Sequence, residues 1–127
     1  MDSLEIANCL INSLNFHGVL GSDELHLIKK LGTYIINFQE STESGSHWVV
    51  IKLFKDKIFY CDSYGVICPT WLSNFAKSRK IKKIIWNDVQ LQHLKQTNCG
   101  KYCVAFCKAN PKTEEEFRKF IKLFLKK

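Results

Sequence analysis

The sequence predicts an α+β fold, a small mixed β-sheet covered by helices, and three observations point there. Two near-continuous apolar runs, residues 47–54 (HWVVIKLF) and 57–62 (KIFYCD), read as buried strands, and the polar turn Lys55-Asp56 between them makes a hairpin. At the far end, Phe117, Phe120, Ile121, Phe124 and Leu125 recur at helical spacing along one face. The 127 residues, 46% hydrophobic and 24% charged with only 6 Gly and 2 Pro, suffice for one core and exclude disorder and low complexity. A single domain over residues 1–127 is expected.

Each element follows from local pattern. Asp2 with Glu5 forms a capping box, and Leu4, Ala7, Leu10, Ile11 and Leu14 then trace a helix to about Asn15. Residues 16–23 contain Gly18 and Gly21 and read as a loop, while 24–30 fit a short helix or the approach to a strand. The β-branched and aromatic stretch 33–38 reads as a strand, and 39–46 as a polar loop containing Gly45. After the hairpin, residues 70–77 fit a short helix with Trp71, Leu72 and Phe75 inward, and 80–86 a further strand. Thr97 or Asn98 can cap a helix over 99–108, and Thr113 with Glu116 is a capping box for the last helix. Helix, strands, helix implies one sheet and helices in a single pair of layers.

Composition narrows function. Nineteen Lys plus Arg against 12 Asp plus Glu leave a charge of +7, which favours anionic partners. Lysine predominates over arginine, so a groove reader built on bidentate arginines is not expected, whereas loose attraction to phosphates is compatible. No apolar run approaches the roughly 18–20 residues of a membrane span, and the start Met1-Asp2-Ser3-Leu4-Glu5 is acidic, so neither membrane association nor secretion is expected. Cys9, Cys61, Cys68, Cys99, Cys103 and Cys107 then read as free thiols in a reducing compartment.

One thiol stands where chemistry is favoured. Cys99 opens a predicted helix, where the dipole stabilises a thiolate, and Gly100 removes bulk beside the backbone N–H groups. Against this stands the ordinary reading of a buried structural cysteine. His47 starts a buried strand after Ser44-Gly45-Ser46, so its ring can project from the sheet rim while Trp48 takes the opposite face. Asp62 ends the paired strand, and counting outward from the hairpin turn brings it beside His47, where a carboxylate fixes the imidazole tautomer. Gln92, seven positions before Cys99, is a candidate oxyanion donor. Cys99, Cys103 and Cys107 stack at i, i+4 and i+8 and read as core packing, not a metal site. The basic run Lys77, Arg79, Lys80, Lys82 and Lys83 is either a solvated face or a track for a nucleic-acid backbone.

Taken together, Gly45-Ser46-His47-Trp48, Asp62-Ser63-Tyr64-Gly65, and Gln92 ahead of Cys99-Gly100 and Tyr102-Cys103 resemble the adenovirus-type endopeptidase (adenain) family. The order His, acid, Gln, Cys is also that of the related ubiquitin-like protein proteases, and the resemblance covers roughly residues 1–108. It implies a papain-like cysteine protease core with Cys99 as nucleophile, His47 as general base, Asp62 as orienting acid and Gln92 as oxyanion donor. Gly45, Trp48 and Gly100 would line the cleft. It also implies cleavage of polypeptides at small-residue sites, Gly-Gly or Gly-X, by a monomer that matures viral capsid or core precursors in the virion and the host cytoplasm or nucleus. No cofactor is implied; DNA or a peptide would be a stimulator, and the absence of any cysteine between Cys68 and Cys99 argues against a disulfide-tethered peptide. Asp62 stands where adenain has Glu, and Gln96 where a small Ser often precedes the nucleophile. Two rivals use the same chain differently: a deconjugating protease for ubiquitin-like modifiers, and a basic nucleic-acid-binding module without turnover.

Overall fold

The computed structural model describes residues 10, 15–38, 47–65, 68–91 and 99–125, with the backbone alone at Cys99 and Leu125. Within them one sheet forms in the order β1 (Phe16–Gly21), β2 (Gly32–Asn37), β3 (Trp48–Leu53), β4 (Lys57–Cys61) and β5 (Lys83–Trp86). The inner pairs β2/β3 and β3/β4 are antiparallel, and the outer strands β1 and β5 run parallel to their neighbours, so the sheet is mixed as predicted. Helix α1 (Thr70–Ser78) crosses over between β4 and β5, and α2 (Cys99–Ala109) and α3 (Glu114–Leu125) follow. The first predicted helix and the loop 39–46 lie outside the described residues, save Leu10, which is helical and wholly buried.

The central strands are buried along their whole length, which separates their side chains into two cores. Ile35, Trp48, Val50, Phe59 and Cys61 meet Val104 and Phe106 of α2 and Phe117 and Phe120 of α3. On the other face Tyr34, Ile36, Val49, Ile51, Ile58 and Tyr60 meet Leu72, Phe75 and Ala76 of α1, with Leu25 and Ile28. The expectation of a single layer pair is therefore corrected to three layers. Its cause was visible in the runs themselves, because a strand apolar at every position must be covered on both sides.

A second correction concerns residues 16–23, which were expected to be a loop. They form β1 and a turn, with the register slipping between Phe16 and Gly18. Gly18 takes φ +148°, a conformation glycine tolerates at a bulge, and pairing with β2 supplies the hydrogen bonds that the local sequence does not foretell. Residues 24–30 hold only a 3-10 turn at Leu25–Leu27. The strand expected over 80–86 is shorter, because α1 closes through Lys80 at φ +59°, with the Ile81 N–H donating to the Ala76 carbonyl at 2.9 Å. At α3 the capping residues act as the sequence implies: the Glu116 N–H donates to Thr113 Oγ1 at 3.1 Å, and the Glu116 carboxylate accepts from the Lys112 N–H at 2.9 Å.

Lys52 is a lysine within the sheet, 4% exposed. Its ammonium donates to Asn110 Oδ1 at 2.6 Å and to the Pro111 carbonyl at 2.7 Å, tying β3 to the C-terminal end of α2. Burial, with Lys112 adding to it, holds its pKa below the ordinary lysine value. The Cys61 and Cys107 thiols are displaced the other way: burial raises both, Cys107 to about 12. A thiol raised in the folded state contributes stability that is intact below the unfolded-state pKa near 9 and lost as pH rises beyond it. Lys52 works in the opposite sense, recovering stability up to about 10.5, and is outnumbered. Thermal melts should therefore show stability falling above pH 9, and Cys107→Ala should flatten the fall by about 1.4 kcal/mol per pH unit.

Candidate active site

His47 lies one residue before β3 and Asp62 one residue after β4, at the same end of the sheet. The register pairs Val50 with Cys61, so continuing it puts His47 opposite Tyr64 and Asp62 two residues away on the same face. Thus the two meet diagonally rather than squarely, and His47 Nε2 lies 2.8 Å from Asp62 Oδ1. Asp62 is fully buried, and its carboxylate can only accept, so Nε2 carries the hydrogen and donates. Tyr64 stacks on the imidazole with ring centroids 4.6 Å apart and planes at 21°, and Phe38 flanks it at 5.7 Å. His47 and Asp62 are thereby held together by the sheet, by stacking and by a hydrogen bond.

Asp62 is itself held from behind. The side chain of Asn87, 1% exposed, accepts from the Asp62 N–H at 3.0 Å and donates to the Asp62 carbonyl at 2.6 Å. This extends the β4/β5 pairing by one rung, with an amide side chain standing in for backbone. The turn that follows bonds to its own aspartate: the Tyr64 N–H donates to Asp62 Oδ1 at 2.9 Å and the Gly65 N–H to the Asp62 carbonyl at 2.8 Å. Gly65 has φ +69°, and a Cβ there would lie 2.6 Å from the Val89 carbonyl group, so no other residue fits the close approach. The Leu91 N–H then donates to the Ser63 carbonyl at 2.7 Å, and Tyr102 of α2 donates to the Leu91 carbonyl at 3.0 Å. Leu91 is thus anchored to the turn after Asp62 on one side and to α2 on the other.

Cys99 is the first residue of α2, as the sequence implies, and Gly100 is buried in the first turn. The Cys99 side chain, Gln92 and Gly45 lie outside the described residues. Cys103 and Cys107 are buried in the core, in keeping with their reading as packing, and no metal-binding cluster occurs among the described residues. Trp48, expected in the cleft, is 7% exposed and points into the core under α2 and α3, on the face opposite His47. The aromatic surface beside His47 is supplied by Tyr64 and Phe38 and, behind Phe38 at 5.8 Å, Trp71. Tyr64 stood in the quoted Asp-Ser-Tyr-Gly motif without a role, and Asn87 carried no signal beyond a polar residue at a strand end.

The basic run divides by environment. Arg79 donates to the Ile28 carbonyl at 2.6 Å and lies over the Phe75 ring, and Lys83 pairs with Glu114 of α3 at 3.5 Å. Lys77, Lys80 and Lys82 are exposed along a groove floored by Ala76, Ile81 and Ile84. No helix among the described residues is long and apolar enough to cross a membrane.

No protein-family model and no curated protein matches the chain. Among solved structures, the chain is similar to the selenomethionine form of ASFV pS273R protease at 17% identity and a TM-score of 0.49, over 88% of this chain and 61% of that one. A second structure of ASFV pS273R protease gives 16% identity and a TM-score of 0.43, over 84% and 58%. The chain thus spans about three fifths of the length of those proteins.

Because Asn87 satisfies both backbone groups of a buried aspartate, Asn87→Ala should cost about 2–4 kcal/mol in denaturant unfolding, more than a surface substitution by several-fold. It should also loosen the His47–Asp62 pair, which a broadened His47 ring signal in NMR would register.

Proposed function

We propose that the protein is a cysteine endopeptidase with Cys99 as nucleophile, His47 as general base, Asp62 as the group that orients it and Gln92 as oxyanion donor. The observation that carries the reading is the 2.8 Å contact between His47 Nε2 and a fully buried Asp62, formed at the sheet end by residues 15 apart. With Nε2 engaged by the carboxylate, Nδ1 is the nitrogen that takes the Cys99 proton. The thiolate attacks the scissile carbonyl carbon; a C–S bond forms and the negative charge moves to the carbonyl oxygen, against the Cys99 N–H and the Gln92 amide. Collapse breaks the C–N bond as the imidazolium returns its proton to the departing amine. Water, deprotonated by His47, then hydrolyses the thioester and frees the thiol.

The substrates on this reading are polypeptides cut at Gly-Gly or Gly-X, the class that the resemblance to the adenain-type endopeptidases implies. Viral capsid or core precursors are the class in view, processed in the virion or the infected cell. Lys77, Lys80 and Lys82 supply the charge by which DNA would be attracted to the same molecule.

Incubation with a peptide carrying an internal Gly-Gly tests this. The unaltered chain should cleave it, Cys99→Ala should not, His47→Ala should lower kcat by roughly a thousandfold or more, and Gln92→Ala by roughly a hundredfold. Hydrolysis by Cys99→Ala at the unaltered rate would remove the assignment.

A further inference from the structure

Three polar atoms beside the site are buried without a hydrogen bond of standard geometry among the described residues, the Tyr60 hydroxyl, the second Asp62 oxygen Oδ2 and Trp71 Nε1, although the Asp62 carboxylate is near enough to the Tyr60 hydroxyl to help hold its proton. A buried polar atom left unpaired costs about 1–3 kcal/mol, so three in one corner of the molecule require an arrangement that satisfies them together. They share a face. Tyr60 and Asp62 stand two apart along β4 and its continuation, which turns both toward the α1 side, and both are fully buried. Trp71, in the first turn of α1, meets the Tyr60 ring edge-on, with centroids 6.3 Å apart and planes at 83°.

Their chemistry fixes the direction of any bond between them. An indole N–H can only donate, a carboxylate can only accept, and a hydroxyl does both. The Tyr60 phenol keeps its proton at neutral pH, because burial, and after it the Asp62 charge, push its pKa above the ordinary tyrosine value. Asp62 Oδ1 already accepts from His47 Nε2 and from the Tyr64 N–H, so Oδ2 is the oxygen left for a further donor.

We propose that Tyr60 is a positioning residue whose hydroxyl donates to Asp62 Oδ2 and accepts from Trp71 Nε1–H, directly or through one bridging water, extending the His47–Asp62 pair into a chain that ends on α1. With donors on both oxygens the carboxylate cannot turn about its last torsion, and the imidazole it holds stays in one plane. The catalytic consequence rests on the peptidase reading; the hydrogen-bonded chain does not.

Tyr60→Phe removes the hydroxyl and keeps the ring. In the full chain, the NMR signal of the proton between His47 Nε2 and Asp62 Oδ1 should move, and kcat on the Gly-Gly peptide should fall about tenfold, equivalent to about 1.4 kcal/mol, with KM little changed; the melting temperature should fall as well, because Asp62 Oδ2 and Trp71 Nε1 lose their partner. Trp71→Phe should move the same signal by less. If the signal moves in Tyr60→Phe while the unaltered protein shows no turnover, the peptidase reading fails and the chain stands. An unmoved signal overturns the chain, whether or not the unaltered protein cleaves peptide.

Discussion

A hydrogen bond 2.8 Å long between His47 and Asp62 is the interaction on which the rest of the site depends. Neither residue belongs to a regular strand, so both would wander if the strands ended in solvent. Asn87 prevents this by bonding both backbone groups of Asp62, and the Tyr64 and Gly65 N–H groups close the turn around the same residue. Burying a carboxylate is costly unless it accepts hydrogen bonds, so the cluster of donors around Asp62 is what allows a charge-bearing group to sit at 0% exposure.

The sheet supplies the larger constraint. Because β2 and β3 are buried on both faces, slipping their pairing by one residue would exchange the α1 core for the α2/α3 core and leave neither filled. Register is therefore set by packing, and with it the diagonal meeting of residues 47 and 62. Lys52 adds a longitudinal restraint: its bonds to Asn110 and Pro111 hold α2 by its C-terminal end to the strand that follows His47, so the helix that begins at Cys99 cannot slide along it.

What the sequence made legible were the features with strong local causes. The hairpin, the helix beginning at Cys99, the α3 capping box and the core role of Cys103 and Cys107 all follow from period, turn chemistry or spacing. The nearness of His47 and Asp62 also followed from counting around the turn, although true register makes them diagonal neighbours. Features with nonlocal causes were hidden. β1 exists because β2 completes its hydrogen bonds, and Asn87 matters because β5 ends beside Asp62. Neither is written in the few residues around the position concerned, whereas the face that Trp48 takes, opposite His47, followed from strand alternation.

The pH dependence of Cys99 alkylation by iodoacetamide tests the pairing of thiol and imidazole most directly. A thiol served by His47 at a helix start should react with a midpoint below about pH 7, and should revert toward the ordinary value of about 8.5 in His47→Ala. A midpoint at or above 8.5 in the unaltered protein, unmoved by that substitution, would mean that the imidazole does not act on the sulfur of residue 99.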